Sequence, residues 1–99
     1  MQSFYESRFV RDMGCTPQEW LQWLPEAIGS HRWALGHHQA DVNLPTGGLH
    51  LAWSVLPPRQ IALLRMPRLQ VTFEFRGLSP AERYEFMKRF DLYMQRGGG

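Results

Sequence analysis

The chain has 99 residues and a mass of 11.6 kDa, which is enough for one domain with a single core and too short for two. Hydrophobic residues make up 43% of it and aromatic residues 13%, which excludes a disordered chain and predicts an aromatic-rich core. The net charge is only +2, although ten of the eleven basic residues are Arg, and this excludes a strong overall attraction to nucleic acid.

Residues 1–15 carry the first helix signal. They start with the Ser-x-x-Glu form of a capping box at Ser3. The apolar side chains of Tyr5, Phe9 and Met13 then recur at four-residue spacing. Together these features predict a short N-terminal helix.

A second helix is predicted to begin at Pro17. Thr16 supplies an N-cap hydroxyl, Pro17 suits the first helical position, and Glu19 stands where it can bond back to the cap. One apolar stripe follows, formed by Trp20, Leu21, Leu24, Ala27 and Ile28. Pro25 lacks a backbone donor, so we expect a kink or a break there, and Gly29 suits the C-cap.

Strand signals fill the middle of the chain. The apolar positions of residues 30–44 change phase across 36–38, which predicts a turn or a bulge there, within one strand or between two short ones. Residues 45–48 form a predicted hairpin loop. Residues 49–55 then alternate between apolar and polar, as in a half-buried strand, and we expect Leu-Pro-Pro at 56–58 to end it.

Residues 59–76 hold the longest strand pattern. Residues 69–76 alternate strictly, with Leu, Val, Phe and Phe on one face. A short apolar run at 61–64 precedes them, and we interpret 66–68 as the hairpin loop between the two runs. The alternative is one long strand kinked at Pro67, which is less favoured because proline is tolerated in sheets only at edges or bulges.

The last helix is predicted to begin at Pro80, with Ser79 as N-cap and Glu82 at the box position. Its apolar stripe consists of Phe86, Met87, Phe90, Tyr93 and Met94. The glycine tail at 97–99 resembles the reactive ends of ubiquitin-like modifiers and sulfur carriers. Those proteins place a helix between the hairpins of their sheet, whereas here the predicted sheet precedes the last helix and the glycines follow that helix directly. We therefore interpret the glycines as a helix stop and a flexible tail.

These elements predict one α+β domain over residues 1–99, in the order α-β-β-β-β-α. Each strand offers one apolar face and each long helix one apolar stripe. The expected architecture is therefore a two-layer sandwich, in which the N-terminal and C-terminal helices pack on one face of a four-stranded antiparallel meander.

Cys15 and the histidines are the candidates for chemistry. Cys15 lies near a helix N-terminus, which can lower a thiol pKa, but Asp12 opposes thiolate formation, so we expect a structural thiol rather than a nucleophile. His37 and His38 are candidate metal ligands, yet adjacent residues of a strand point to opposite faces and no cysteine accompanies them. We expect no metal and no cofactor.

Arginines mark the candidate binding site. Arg59, Arg65 and Arg68 lie in a segment, residues 42–73, that contains no acidic residue, and Arg76 follows it. Guanidinium groups bind carboxylates and phosphates well. The outward set of the last strand offers no aromatic residue on which a base could stack, so nucleic acid is not the expected partner.

We therefore expect a cytoplasmic, non-catalytic interaction module that forms a homo-oligomer, such as a dimer, or binds another protein. The expected surface is the hairpin with the outward sheet face. We expect neither secretion nor a membrane location. The chain has a single cysteine, no signal-peptide pattern and no apolar run of about 18 residues. Two alternatives remain open: an anion-, nucleotide- or nucleic-acid-binding protein that uses the hairpin arginines, and a thiol-dependent enzyme that uses Cys15.

Overall fold

A computed structural model describes residues 4–96 of the chain. These residues form β1 (Arg8–Met13), α1 (Pro17–Ile28), β2 (Trp33–Gly36), β3 (Gln39–Leu44), β4 (Gly47–Ile61), β5 (Leu64–Arg76) and α2 (Pro80–Arg96). The α+β class and the antiparallel sheet are confirmed, whereas the prediction of four strands is wrong because the sheet has five. Ser3 of the predicted capping box and the glycine tail at 97–99 lie outside the described residues.

The strands follow the order β1-β5-β4-β3-β2 across the sheet. The four strands from β2 to β5 form a meander, in which each pairs with the next along the chain. β1 adds to the free edge of β5, with Arg8 opposite Glu74 and Met13 opposite Leu69. α1 therefore carries the chain from one edge of the sheet to the other.

The predicted helix in residues 1–15 is wrong, because residues 8–13 form β1. The side chains of Phe9 and Met13 satisfy a period of two as well as a period of four. Only the strand lets the Phe9 ring stack on Phe73, with ring centroids 4.7 Å apart. Pairing with the edge of β5 thus overrides a local pattern that suits a helix.

Both long helices begin where their caps predict. The Thr16 hydroxyl accepts a hydrogen bond from the Glu19 N–H at 3.1 Å, and the Thr16 N–H donates to Glu19 Oε1 at 2.9 Å. Ser79 and Glu82 repeat this exchange at 3.2 and 2.8 Å. Each box satisfies donors that the first helical turn leaves without partners.

α1 runs through Pro25 without the break that the proline suggests. The helix ends at Gly29, whose φ of 80° is accessible to glycine and whose N–H donates to the Pro25 carbonyl at 3.0 Å. Trp20 and Ile28, on either side of Pro25 along the chain, are both buried, so core packing holds the two halves of the helix together.

The first two turns of the meander agree with the sequence signals. The phase change at 36–38 marks a turn between two short strands, where His38 has a φ of 57°. The loop predicted at 45–48 is a tighter turn, and Gly47 already belongs to β4. A side chain at Gly47 would overlap the carbonyl oxygen of Arg76, so this close approach of two strands requires glycine.

The core lies on one face of the sheet, where both helices contact it. Trp20 of α1 meets Trp53 of β4, and Phe90 of α2 meets Phe73 of β5, each at 5.5 Å between ring centroids. Val55 was expected in this core but its side chain is 67% exposed. Val55 lies three residues beyond Ala52, the last residue of β4 that pairs with β3, where the sheet narrows.

A polar cluster joins β1 to α2 at the border of the core. The Asp91 carboxylate accepts hydrogen bonds from the Tyr5 hydroxyl at 2.8 Å and from both terminal nitrogens of Arg11 at 2.5 and 3.0 Å. The Arg11 guanidinium also lies 5.5 Å from the Phe73 ring centroid. This cluster holds the added edge strand against the last helix.

Candidate functional site

β4 and β5 continue beyond the rest of the sheet as a two-stranded ribbon. Ladder pairing with β3 ends at Ala52, and pairing with β1 ends at Leu69. Residues 56–68, which we call the arm, therefore pair only with each other, up to a turn at residues 62–63. Ala62 adopts a φ of 54° in that turn, an uncommon conformation for a residue with a side chain.

Two sequence predictions at the arm are wrong. Residues 56–58 do not end a strand, and 66–68 do not form a hairpin loop, because β4 and β5 run through both segments. The register shifts between Leu56 and Arg59, so Pro57 and Pro58 occupy an irregularity where they displace no ladder hydrogen bond. The alternative, one long strand kinked at Pro67, is right only for Leu64–Arg76, because a turn at residues 62–63 divides the 61–64 run. The predicted hairpin is therefore present, but its turn lies closer to the N-terminus than 66–68.

The arm is exposed over most of its length. Every residue from 57 to 66 is exposed, which includes four large apolar side chains. Leu63 at the tip is 99% exposed, Leu64 is 67% exposed and Ile61 is 54% exposed, and Met66 follows them. Soluble proteins seldom leave a contiguous apolar group uncovered unless it contacts something.

Three of the four apolar side chains, those of Ile61, Leu64 and Met66, share one side of the ribbon. Ile61 lies opposite Leu64, and Arg59 lies opposite Met66, two positions further from the tip. Opposed residues of an antiparallel pair, and residues two apart in a strand, point to the same side. Arg65 lies opposite Gln60 on the other side. The arm thus has one apolar side with Arg59 at its border and one polar side with Arg65.

The four arginines proposed as binding residues do not form one site. Arg76 lies at the far end of β5 from Arg65, about 36 Å away at about 3.3 Å per residue. It contacts Glu74, with Nη2 and Oε1 2.5 Å apart. Arg76 is therefore part of an ion pair on the main sheet and cannot act together with the arm.

The three arginines of the arm differ in their partners. Arg68 holds the Asp12 carboxylate through Nε at 2.9 Å and Nη2 at 2.7 Å, which lowers the pKa of Asp12 below its ordinary value. Arg59 lines a small hollow beside this pair. The side chain of Arg65 forms no hydrogen bond or ion pair with another residue in the described part of the chain. Arg65 is therefore available to a partner.

A mostly apolar cleft of about 380 Å³ lies at the other end of the molecule, between the β3–β4 turn and the first half of α2. We call it the end cleft. Leu44, Leu78 and Phe86 line it, and each is only partly buried although it packs against the core. The cleft therefore offers apolar surface that the fold itself does not cover.

Acidic side chains border the end cleft. Glu82 accepts hydrogen bonds from the Ser79 N–H and from the Thr46 hydroxyl at 2.7 Å, and these bonds lower its pKa below the ordinary value. Glu85 is exposed, and its side chain has no hydrogen bond or ion pair within residues 4–96. Arg89 also lines the cleft, where its guanidinium lies 4.4 Å from the Tyr93 ring centroid.

Cys15 lies in the core, with 1% of its surface exposed. Burial, followed by the nearby charge of Glu19, raises the pKa of its thiol from the ordinary 9.0 to about 11. Both influences disfavour the thiolate that nucleophilic chemistry requires. The structure gives this cysteine the environment of a packing residue.

The candidate metal ligands lie in the β2–β3 turn. His37 and His38 are exposed, and their rings stack with centroids 4.0 Å apart rather than pointing to opposite faces of a strand. His50 instead contacts Asp41 on the main sheet, with Nδ1 and Oδ1 2.7 Å apart. Within residues 4–96, no group of three or more His, Cys, Asp or Glu is placed to hold a metal ion.

The sequence predicts a binding surface on the hairpin, but it predicts neither the length of the arm nor the end cleft. The absence of acids from residues 42–73 was the available signal for the arm. The end cleft is lined by residues of β3, of α2 and of the loop that precedes α2. No local sequence pattern predicts that these segments lie side by side. Among the described residues, no helix has the length and apolar character to span a membrane.

Comparisons with family models, with curated proteins and with solved structures find no match for this chain.

Proposed function

We propose that this protein is a non-catalytic interaction module that associates with itself through the arm. The observation that carries the proposal is the exposure of every residue from 57 to 66, including the apolar side chains of Ile61, Leu63, Leu64 and Met66. An isolated two-stranded ribbon is marginally stable in water, and it gains stability when its apolar side is covered or a third strand joins it.

The edges of the arm support the proposal as well. Neither β3 nor β1 reaches the arm, so both of its strands have an unpaired edge. Free edges are a common site for pairing with another chain. Pro57, Pro58 and Pro67 limit this pairing near the base of the arm, because proline donates no hydrogen bond. The tip and the apolar side remain the surfaces that suit a partner.

The charge of the arm suits an acidic protein surface better than a polyanion. Arg68 is already paired with Asp12 and Arg76 with Glu74, so two of the four candidate arginines are neutralised within the molecule. Arg59 and Arg65 remain, too few for the string of phosphate contacts that holds a nucleic acid. The alternative, an anion-binding protein, has weaker support for this reason.

The test compares the mass of the protein in solution at several concentrations by sedimentation velocity. We expect wild type to associate as its concentration rises, and the double variant Leu63→Ser, Leu64→Ser to remain monomeric. Removing two exposed side chains should leave the fold intact, because neither packs in the core. Circular dichroism and thermal melting of the variant check this point.

The control is Leu92→Ser, which replaces a 46% exposed leucine of α2 that lies outside the arm. We expect this variant to associate as wild type does. A wild-type protein that stays monomeric over the whole concentration range, or one that binds random RNA tightly in physiological salt, would contradict the proposal.

A further inference from the structure

We infer that the arm tip of one molecule enters the end cleft of a second copy, so that the molecules associate head to tail. This inference rests on the proposed self-association and names the surface that receives the arm. It predicts a contact between two different surfaces of the same chain, rather than one between two arms.

The arm tip and the end cleft lie at opposite ends of one molecule. β4 begins at Gly47, next to Thr46 of the cleft wall, and ends at Ile61 beside the tip. Its length is about 46 Å at about 3.3 Å per residue. The longest dimension of the molecule is also 46 Å. An arm therefore cannot reach the cleft of its own molecule, and only another copy can bring the two surfaces together.

The tip and the cleft match in size and polarity. The tip presents the side chain of Leu63 in the turn and that of Leu64 in the last pair of the ribbon, and both are exposed. A cleft of about 380 Å³ with walls of Leu44, Leu78 and Phe86 has room for two such side chains. The hydrogen bond from Thr46 to Glu82 joins the two sides of the cleft, so its shape is set before the arm arrives.

Charge favours this contact over one between two arms. The arm contains arginines and no acid, so two arms laid together would bring like charges close. The end cleft instead carries Glu82 and Glu85 at its border, with Arg89 as the opposing charge. The side chains of Arg65 and Glu85 have no hydrogen bond or ion pair in the described part of the molecule, and the contact would pair them.

A contact between two different surfaces has a consequence for assembly. Such an interface leaves a free arm at one end and a free cleft at the other, so it forms open chains or closes into rings. A contact between identical surfaces stops at a dimer. The assembly state therefore reports directly on which surfaces meet.

The decisive experiment mixes two variants that each keep one surface. Leu63→Ser with Leu64→Ser removes the apolar tip, and Ala81→Trp fills the cleft from an exposed position at the start of α2. Alone, each variant should lose at least tenfold in self-association. Mixed, the intact arm of one should enter the intact cleft of the other, and sedimentation should show a heterodimer that grows no further.

Two further variants test the contact even if the Ala81→Trp variant does not fold. Glu85→Arg should weaken association at low ionic strength, and adding Arg65→Glu to the same chain should restore it in part, because the pair is then present with its charges exchanged. Restoration is not expected if either side chain acts only through the fold.

The outcomes separate this inference from the proposed function. If wild type associates and the tip variant does not, but both cleft variants associate as wild type does, the end cleft is not the partner surface and only the inference is overturned. If wild type does not associate at all, the proposed self-association falls and the inference falls with it.

Discussion

Cys15 shows how burial decides the chemistry of a single residue. A position just before a helix cap can lower a thiol pKa, but the core surrounds Cys15 and raises its pKa to about 11. We expect native protein at pH 8 to react with iodoacetamide far more slowly than protein unfolded in urea, which serves as the control. Alkylation of the native protein at the rate of the unfolded chain would contradict a packing role.

The same thiol predicts a loss of stability in alkali. An unfolded chain loses the thiol proton near pH 9, whereas the folded protein keeps it up to about pH 11. The stabilisation from the neutral thiol is therefore complete below pH 9 and is lost as the pH rises to about 11. We expect the free energy of unfolding of wild type to fall across this interval relative to that of Cys15→Ala. Tyr5, whose pKa is also raised by burial, is present in both proteins.

The cluster around Asp91 makes a second prediction for single residues. Asp91→Ala leaves the Tyr5 hydroxyl and the Arg11 guanidinium without their acceptor, so we expect a loss of about 2 kcal/mol in urea unfolding. Asp12→Ala is the control, because it breaks an exposed ion pair with Arg68 and should cost less. An equal loss in both variants would mean that partial burial adds nothing to the Asp91 contacts.

At the scale of the elements, the register of the sheet follows from alternation in β4 and β5. Phe73 is fully buried and contacts both Phe9 and Phe90, whereas Gln70 points away from the helices and is exposed. We expect Phe73→Ala to cost about 3–5 kcal/mol in unfolding experiments and Gln70→Ala to cost little. If Gln70→Ala cost more stability than Phe73→Ala, the faces of the strand would be the reverse of those in the structure.

Elements with strong local signals were predictable from the sequence. The capping boxes at Thr16 and Ser79 fix both helix starts, because each box forms between residues three apart. β1 was not predictable in this way. The choice between helix and strand for residues 8–13 depends on the free edge of β5, which lies more than fifty residues further along the chain.

The proline positions explain why the sequence does not predict the length of the arm. Pro57, Pro58 and Pro67 each indicate the end of a strand when considered alone. Opposite one another across the ribbon, they share one irregularity and let both strands continue. Pairing between the strands therefore changes the meaning of the local signal, and the length of the hairpin cannot be derived from either strand separately.

At the scale of the whole molecule, the fold divides into a packed body and a projecting arm. The sequence indicates the body through its alternation and amphipathic helices, and it marks the arm only through arginines without nearby acids. The candidate partner surfaces lie at opposite ends of the 46 Å long axis, and a distance of that kind is visible only after folding. We propose that the arm is a contact surface rather than a solvated loop.

Hydrogen exchange of the backbone amides, measured at several protein concentrations, distinguishes a contact surface from a solvated loop. Amides of residues 59–66 should exchange fast in dilute solution, because the ribbon is exposed and has no third strand. We expect their protection to rise with concentration while that of residues 69–75 in the core stays constant. If the protection of the arm amides stays as constant with concentration as that of the core amides, the arm is not a contact surface.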